Sequence, residues 1–397
     1  MKNNYFYLIV IGLSLILFLG FGEIGPSVTS DEILVLEGGT LIDGSGAPPV
    51  NDAVIIIKNE YILSAGCRKS SAPPKGAKVI SLKGTTILPG FINAHVHRGY
   101  NEYNLKTWAY NGVTTVRDLG GNPQNNLFAF RNTVLKKKEC ARLVAAGPMV
   151  TVPGGYPTVP WGSPSALPVT SPEDARKKTI GLLDDGADII KIALDSGASF
   201  NQDIPKLSLK EARAITDVAH RRGTIVSAHV LVSDDLEYAL DTGVDDIAHM
   251  VVDKPSDDLI KRVVDQGVYW VPTLELWHGV RQNLGDSAIE NLRRFVQAGG
   301  LVALGTDYEG YNCEFDLGMP IREIRWMKQA GMTPMQIILA ATKNAAQICN
   351  LGNRIGTLEK GKIADILIVK GNPLKDVEAL LKVRMVIHGG QIIRDEN

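Results

Sequence analysis

The chain has 397 residues, 45% of them hydrophobic, which is enough for one large domain and a smaller one. Its 42 Lys and Arg residues nearly balance its 43 Asp and Glu residues, so the basic surcharge typical of nucleic-acid binding is absent from the composition. The four cysteines are widely spaced and form neither a CxxC pair nor a disulfide framework.

The first thirty residues contain an apolar run from Tyr5 to Gly22, preceded by a single lysine. Eighteen residues in a helix span roughly 27 Å, close to the thickness of a bilayer core. The run predicts either a cleaved signal peptide or a retained membrane anchor at residues 5–22. Because the positive end stays inside, we expect residues 1–30 to place the rest of the chain outside the cytoplasm, secreted, periplasmic or anchored to the membrane.

Both ends of the remaining chain have the pattern of short β-strands. Near the start, apolar segments at 34–36, 53–58 and 61–63 are separated by turns rich in Gly, Asp and Pro. Similar segments follow at 365–369 and 383–387. Because neither end alone has enough strands to bury a core, we predict one small β-sandwich domain built from residues 31–88 and 353–397.

Between these ends, residues 89–352 alternate between short apolar strands and helices such as Ser208–Arg222 and Ser287–Ala298. The predicted strands are Ile87–His97, Thr114–Asp118, Leu143–Gly147, Asp188–Ala193, Thr224–His229, Asp246–His249, Tyr269–Thr273 and Val302–Asp307. Eight strands with intervening helices predict an α/β fold of the (β/α)8 TIM-barrel type. A doubly wound open sheet shows the same alternation, but no Gly-rich phosphate loop follows the first strand.

Residue types that bind metals lie at the ends of these predicted strands. His95 and His97 are two apart on the first strand, so both imidazoles point to one side. His229 and His249 end the fifth and sixth strands, and Asp307 ends the eighth. Active sites of TIM barrels lie at the carboxyl ends of the strands, and imidazole is a preferred ligand of divalent transition metals. The pattern therefore predicts a metal site.

Lys191 lies inside an apolar predicted strand. Burying an unpaired ammonium is costly, so a purely structural lysine here needs a carboxylate partner such as Asp188 or Asp195. Beside four histidines and Asp307, we favour a lysine carbamylated by carbon dioxide, whose new carboxylate bridges two metals.

On these residues the chain resembles the amidohydrolase superfamily, in its binuclear subtype with a carboxylated lysine, from about residue 33 to residue 393. That family has HxH on strand one, the lysine on strand four, histidines on strands five and six, and an aspartate on strand eight. The residues that match are His95, His97, Lys191, His229, His249 and Asp307. The flanking segments 88–90, 112–115 and 361–365 agree. The branch that it most resembles contains imidazolonepropionase-related hydrolases, including dipeptidases acting on Xaa-Pro.

The resemblance implies the cofactors and the mechanism. His95, His97 and Asp307 would hold one divalent metal, His229 and His249 a second, and Lys191, as N6-carboxylysine, would bridge them. The expected metals are two Zn²⁺ ions, with Mn²⁺, Co²⁺ or Fe²⁺ as alternatives. A water shared by two cations becomes hydroxide near neutral pH. Asp307, as general base, takes its proton and delivers it to the leaving nitrogen.

Tyr156, Trp161 and Tyr308 are the candidate substrate-binding walls. The related dipeptidases usually have Gly-Gly-His after strand three and a Tyr two residues after the strand-five histidine, both of which help to hold a substrate carboxylate. This chain has Tyr156 and Leu231 at those places, and a leucine side chain donates no hydrogen bond. We expect hydrolysis of an amide C–N bond in a small molecule, such as a dipeptide, N-acyl amino acid or cyclic amide, by a homo-oligomer with no nucleic-acid partner.

Three other functions fit parts of the pattern. A lactone, carbamate or phosphotriester hydrolase uses the same metals, because fold and metals do not fix the scissile bond. A mononuclear deaminase of this superfamily has a glutamate shortly after the strand-five histidine and lacks the strand-four lysine, whereas this chain has Lys191 and first meets an acid at Asp234. A non-catalytic scaffold protein would have lost metal ligands, whereas all six ligand residues are present in this chain.

Overall fold

The computed structural model describes residues 33–68 and 74–396. The predicted signal or anchor at residues 1–30 lies outside the described residues, so its role stays a prediction. Among the helices of the described ranges, none is both long and apolar enough to cross a membrane.

In chain order the strands are β1 Ile33–Leu41, β2 Val50–Lys58, β3 Tyr61–Cys67, β4 Lys78–Ser81, β5 Thr85–Pro89, β6 Phe91–Val96, β7 Val113–Asp118, β8 Arg142–Ala145, β9 Met149–Thr151, β10 Ala166–Pro168, β11 Ile190–Ala193, β12 Val226–His229, β13 Asp246–Ala248, β14 Tyr269–Val271, β15 Ile366–Lys370, β16 Val383–His388 and β17 Gln391–Asp395. The α-helices are α1 Glu102–Tyr110, α2 Leu127–Val134, α3 Thr158–Trp161, α4 Pro172–Asp184, α5 Leu209–Arg221, α6 Ser233–Leu240, α7 Asp257–Asp265, α8 Leu274–Val280, α9 Gln282–Gln297, α10 Ile321–Gln329, α11 Pro334–Leu339 and α12 Ala345–Ile348.

Strands from both ends of the chain form one eight-stranded sheet. Its order is β17-β16-β15-β5-β1-β2-β3, and β4 pairs with β1 in addition. The two ends meet where β15 runs antiparallel to β5, with Leu367 opposite Leu88. Alternate apolar side chains of these strands form a core of their own, which includes Leu36, Ile55 and Ile366. The predicted composite β domain is thus present, while its boundaries at residues 88 and 353 stay a prediction.

The remaining strands form the predicted TIM barrel. Parallel pairing runs from β6 through β7 to β8, and from β9 through β11, β12 and β13 to β14. The chain of β8 continues into β9, and the amide of Asp188 donates to the carbonyl of Ala145, which links strands three and four. Helices α4, α5, α7 and α9 bury one apolar face each, as an outer ring requires.

The eighth strand, predicted at Val302–Asp307, is less regular than expected. It joins the barrel through single bridges, Trp270 to Val302 on one side and Val96 to Tyr308 on the other. The amides of Thr306 and Asp307 both donate to the carbonyl of His95, a pattern that a regular ladder does not contain. This segment still closes the barrel between β14 and β6.

The first predicted strand, Ile87–His97, is in fact two strands. Residues up to Pro89 belong to the composite sheet as β5, whereas β6 of the barrel begins at Phe91. Gly90 separates them, and a Cβ on Gly90 would lie 2.2 Å from the hydroxyl oxygen of Thr114. The close approach requires glycine at this position. Gly90 alone connects β5 of the sheet with β6 of the barrel.

Candidate metal centre

All six predicted ligands lie at the barrel mouth, the edge formed by the carboxyl ends of the parallel strands. Lys191 is on β11, His229 ends β12, and His249 directly follows β13. His249 and Asp307 have left-handed backbones, with φ of 75° and 60°, as does Thr273 after β14 with φ of 48°. Non-glycine residues adopt this conformation at a cost, and such strain clusters at functional sites.

The Asp307 carboxylate is at the centre of the group. Its Oδ1 lies 3.0 Å from Nε2 of His95 and 3.1 Å from Nε2 of His97. Gly310 lies against the same carboxylate, and a Cβ there would be 2.2 Å from Oδ2. The loop after strand eight can therefore close over Asp307 only because residue 310 has no side chain.

His229 and His249 complete the cluster on its other side. Their ring centroids are 4.7 Å apart, and the centroids of His95 and His249 are also 4.7 Å apart. The ligand atoms of His95, His249 and Asp307 all lie within 4.8 Å of one another. His249 thus lies close to both His95 and Asp307, and the four imidazoles form one continuous group around the carboxylate.

Burial keeps three of the four histidines neutral, which is the protonation state that binds metals. Desolvation lowers the pKa of His95 to about 3, lowers that of His249 well below its usual value, and also lowers that of His229. At His97 burial again opposes the charged form, but the hydrogen bond and charge of Asp307 raise the pKa. Burial alone would raise the pKa of the Asp307 carboxyl, but the imidazoles of His95 and His97 hold it well below its usual range. The site therefore combines three neutral imidazoles with an ionised carboxylate.

Lys191 is fully buried, and its Nζ has no hydrogen-bond partner among the described residues. The two carboxylates that the sequence offered to a structural lysine are engaged elsewhere: Asp188 pairs with Arg131, and Asp195 lies 3.2 Å from Nε2 of His229. The carboxylate of Asp246, which acts on the pKa of Lys191, is paired with Arg117. Burial lowers the pKa of Lys191 to about 7. A large share of this amine is then neutral at physiological pH, and the neutral amine is the form that reacts with carbon dioxide.

The sequence pattern did not single out several residues that support the cluster. Thr273 Oγ1 lies 3.0 Å from Nδ1 of His249, and Asp195 fixes the His229 ring. Beneath the cluster, Arg117 forms a two-pronged ion pair with Asp246, both fully buried. The sequence indicated that pair only in that Arg117 and Asp246 are each a charged residue in an otherwise apolar strand.

The three predicted substrate-binding aromatics lie in different surroundings. Tyr156 stacks on the His229 ring at 3.9 Å, and Trp161 lines the same opening. Tyr308 packs edge-on against Trp108 at 5.1 Å and is not among the described residues that line the cavities at the mouth.

The donor set fits divalent metal ions. Four imidazoles, one ionised carboxylate and one lysine converge, and the buried atoms without a hydrogen-bond partner among the described residues include Nδ1 of His95 and Nζ of Lys191. Buried polar atoms are normally satisfied, so two such atoms in one place fit the binding of a metal ion. Imidazole and carboxylate ligands suit Zn²⁺ and similar ions.

Comparison with known proteins agrees with this geometry. Residues 86–393 match the Amidohydrolase family. Ochratoxinase of Aspergillus niger is 24% identical over 435 aligned residues, which cover 93% of this chain and 88% of that protein. Imidazolonepropionase of Thermoanaerobacter pseudethanolicus is 25% identical, covering 81% of this chain and 84% of that protein. The crystal structure of a Xaa-Pro dipeptidase with bound methionine superposes with a TM-score of 0.78 at 24% identity, covering 91% of this chain and 99% of that one.

Proposed function

This chain belongs to the amidohydrolase family, and from that premise we propose that it is a binuclear metal-dependent hydrolase of a small amide. The observation that carries the proposal is the convergence of the cluster around a buried lysine that has no protein partner among the described residues. We assign the six residues His95, His97, Lys191, His229, His249 and Asp307 as ligands of two divalent cations, with Lys191 carbamylated. When bound, such cations supply an acidified water and Lewis acidity toward a carbonyl.

Asp307 is the residue placed to move the proton. Its carboxylate is ionised at neutral pH because His95 and His97 hold its pKa well below the usual range. It is buried at the floor of the mouth and lines both cavities that open there, which is where a bound substrate would reach it. In the proposed reaction Asp307 accepts a proton from the attacking water and delivers it to the leaving nitrogen, which breaks the C–N bond.

The supporting contacts keep the ligands oriented. Asp195 accepts a hydrogen bond from Nε2 of His229, which fixes that tautomer and leaves Nδ1 for the metal, and Thr273 contacts Nδ1 of His249 and orients its ring. Tyr156 covers one face of His229 and excludes water from it. These contacts support a preorganised site.

The names of the relatives indicate substrates of related chemistry. Ochratoxinase and imidazolonepropionase are similar along most of this chain, and we propose from these names that this chain also acts on an amide-type C–N bond. Leu231, two residues after His229, is buried at the mouth and adds no hydrogen-bond donor for a carboxylate.

A substrate screen tests the proposed function. Protein loaded with Zn²⁺ or Mn²⁺ in bicarbonate would be incubated with dipeptides, N-acyl amino acids and cyclic amides, and with lactones and phosphotriesters as competing classes. We expect release of an amine from at least one amide, and release at least about 10²-fold slower by the Asp307→Asn variant. Turnover confined to the lactones or phosphotriesters would refute amide hydrolysis.

We also propose that residues 1–30 take the chain out of the cytoplasm, because their apolar run matches the length of a bilayer core. Cell fractionation of the full chain and of a variant lacking residues 1–30 tests this. The full chain should be found in the exported or membrane fraction, and the shortened one in the cytoplasm. Equal distribution of both would contradict the proposal.

A further inference from the structure

Two cavities open on the metal cluster from opposite sides of the barrel mouth. One has a volume of about 580 Å³ and the other about 590 Å³. Both share the floor formed by His229, His249 and Asp307. A bond placed on this floor therefore lies at the junction of two separate spaces.

Aromatic side chains separate the two cavities. Tyr156 and Trp161, from the loop after strand three, and Gly310, from the loop after strand eight, border both of them. The Trp161 ring reaches across the mouth to Tyr311, with ring centroids 5.6 Å apart in an edge-on contact. We call Tyr156, Trp161 and Tyr311 the aromatic wall. It connects loop three with loop eight and so divides the ring of strand ends into two halves.

The half formed by loops one to three is a polar chamber. Its lining offers amide and hydroxyl groups from Asn101, Asn122, Asn125, Ser163 and Ser165. Two ionised side chains at its border, Arg98 and Glu309, neutralise each other at 3.3 Å. This chamber fits a group that forms hydrogen bonds and carries no strong charge.

The other half, formed by loops four to seven, contains most of the apolar side chains at the mouth, and we call it the apolar chamber. Ser199 and Asn201 add polar groups at loop four. Its apolar walls are Leu231, Val252, Leu276, Trp277, Val280 and Leu284. Apart from the metal cluster, Arg281 is the ionised side chain among its described lining residues, and no ion pair of Arg281 occurs within the described ranges. An apolar group gains free energy by entering such a space, whereas an amine beside Arg281 is repelled.

We propose that the aromatic wall sorts the two halves of a linear amide, an apolar half into the chamber around Trp277 and a hydrogen-bonding half into the chamber around Asn122. This inference rests on the proposed function and narrows its substrate class. A cyclic amide joins both substituents in one ring, which cannot lie on both sides of the wall. Leu284 and Trp161 then determine specificity, the first as part of the apolar chamber and the second as the divider.

Two isomeric amides test the sorting. N-acetyl-L-phenylalanine and N-(3-phenylpropanoyl)glycine have the same atoms but carry the phenyl group on opposite sides of the amide. Because Arg281 has no ion pair with any residue that the structure describes, while Arg98 is paired with Glu309, the isomer with phenyl and carboxylate on one side, N-acetyl-L-phenylalanine, should be preferred. We expect its kcat/KM to exceed that of its isomer and of N-acetylglycine by at least about tenfold, the scale on which apolar pockets discriminate.

Variants of the two specificity residues sharpen the test. Leu284→Gln should lower the preference for N-acetyl-L-phenylalanine over N-acetylglycine by at least about threefold, because it places an amide in the apolar chamber. Leu135→Gln is the matched control, since Leu135 is 42% exposed and lines neither chamber. Trp161→Ala removes the ring that divides the two chambers. Because the Trp161 side chain is 48% exposed, the variant should fold normally, and it should reduce the difference in kcat/KM between the two isomers.

The outcomes separate the two proposals. Hydrolysis of both isomers and of N-acetylglycine at kcat/KM values within threefold of one another would overturn the sorting but leave the proposed function intact. Absence of turnover for every amide counts against the proposed function. In that case calorimetry on the two isomers tests the sorting by itself. The sorting requires that their Kd values differ by about tenfold, that Leu284→Gln reduces this difference, and that Leu135→Gln leaves it unchanged.

Discussion

Two buried basic side chains, Arg117 and Lys191, lie within the barrel, and their surroundings differ completely. Arg117 donates to both oxygens of Asp246 at 2.8 and 2.9 Å and to the carbonyls of Ala94 and Ile348. Lys191 lies in register with Ser227, which in turn lies opposite Asp246 on the next strand. Its Nζ has no hydrogen-bond partner within the described ranges, although Asp246 is near enough to influence its pKa.

The difference distinguishes a structural charge from a functional one. A fold that satisfies the Arg117 guanidinium on every side has the means to satisfy a neighbouring amine, yet it leaves Lys191 unpaired. Unsatisfied buried polar groups are uncommon because each costs free energy. We propose that Lys191 is kept for its chemistry, while Arg117 and Asp246 hold the strands together beneath the site.

The largest effect is expected from replacing Lys191, which should lower activity without lowering stability. Lys191→Met should reduce kcat by at least about 10³-fold, because metal binding is worth several kcal/mol to the transition state. The free energy of unfolding, measured by urea titration with a chelator present, should stay equal or rise by about 1–3 kcal/mol as the unpaired amine is removed. A large loss of stability would make Lys191 a structural residue and end the contrast with Arg117.

The next effect concerns proton transfer at the mouth. Asp307→Asn keeps the shape and one oxygen ligand, but an amide cannot take up the proton at working pH. The kcat should fall by about 10²–10⁴-fold, while elemental analysis should show that most of the metal remains. A variant that keeps its metal and more than about a tenth of the wild-type kcat would remove Asp307 as the general base.

Arg117→Met tests the structural side of the comparison. It leaves the Asp246 carboxylate buried without its partner and should lower the free energy of unfolding by about 3–5 kcal/mol. Arg222→Met is the matched control, because Arg222 pairs with Asp184 at 2.8 Å with both side chains about half exposed, and should cost less than about 1 kcal/mol. Equal effects in urea unfolding would show that burial does not distinguish the two pairs.

Glu275 is an intermediate case, and its effect should be the smallest. One of its oxygens accepts the amide of Asp316 and lies 3.2 Å from Arg322, while the other has no hydrogen-bond partner among the described residues. Burial raises the pKa of Glu275 to about 8, above the ordinary 4.5. The folded state therefore binds this proton more tightly than the unfolded state, and stability falls as the pH rises from about 4.5 through 8.

Glu275→Gln removes this titration. It should flatten the stability curve over that pH range. Unfolding midpoints measured across the range give the slope, and an unchanged slope would show that Glu275 is not the group responsible.

The sequence was informative where residue type and strand position coincide. The barrel, the composite sheet and the positions of His95, His229, His249 and Asp307 at strand ends follow from apolar periodicity, which burial enforces. The division at Gly90 and the irregular eighth strand did not follow, because both depend on contacts between segments that are distant in sequence. The aromatic wall could not be predicted from the sequence for the same reason, because Trp161 and Tyr311 are distant in sequence and contact each other only in the folded barrel.

Metal content is the most direct test of the account, because the assignment of the six-residue cluster is its central claim. Protein prepared with Zn²⁺ and bicarbonate, then freed of loosely bound metal, would be analysed for metal per chain and for a carbamate signal after labelling with ¹³C-bicarbonate. The account predicts close to two ions per chain and one labelled carbamate, with both reduced in Lys191→Met. Full metal content without any carbamate, or no stoichiometric metal at all, would contradict it.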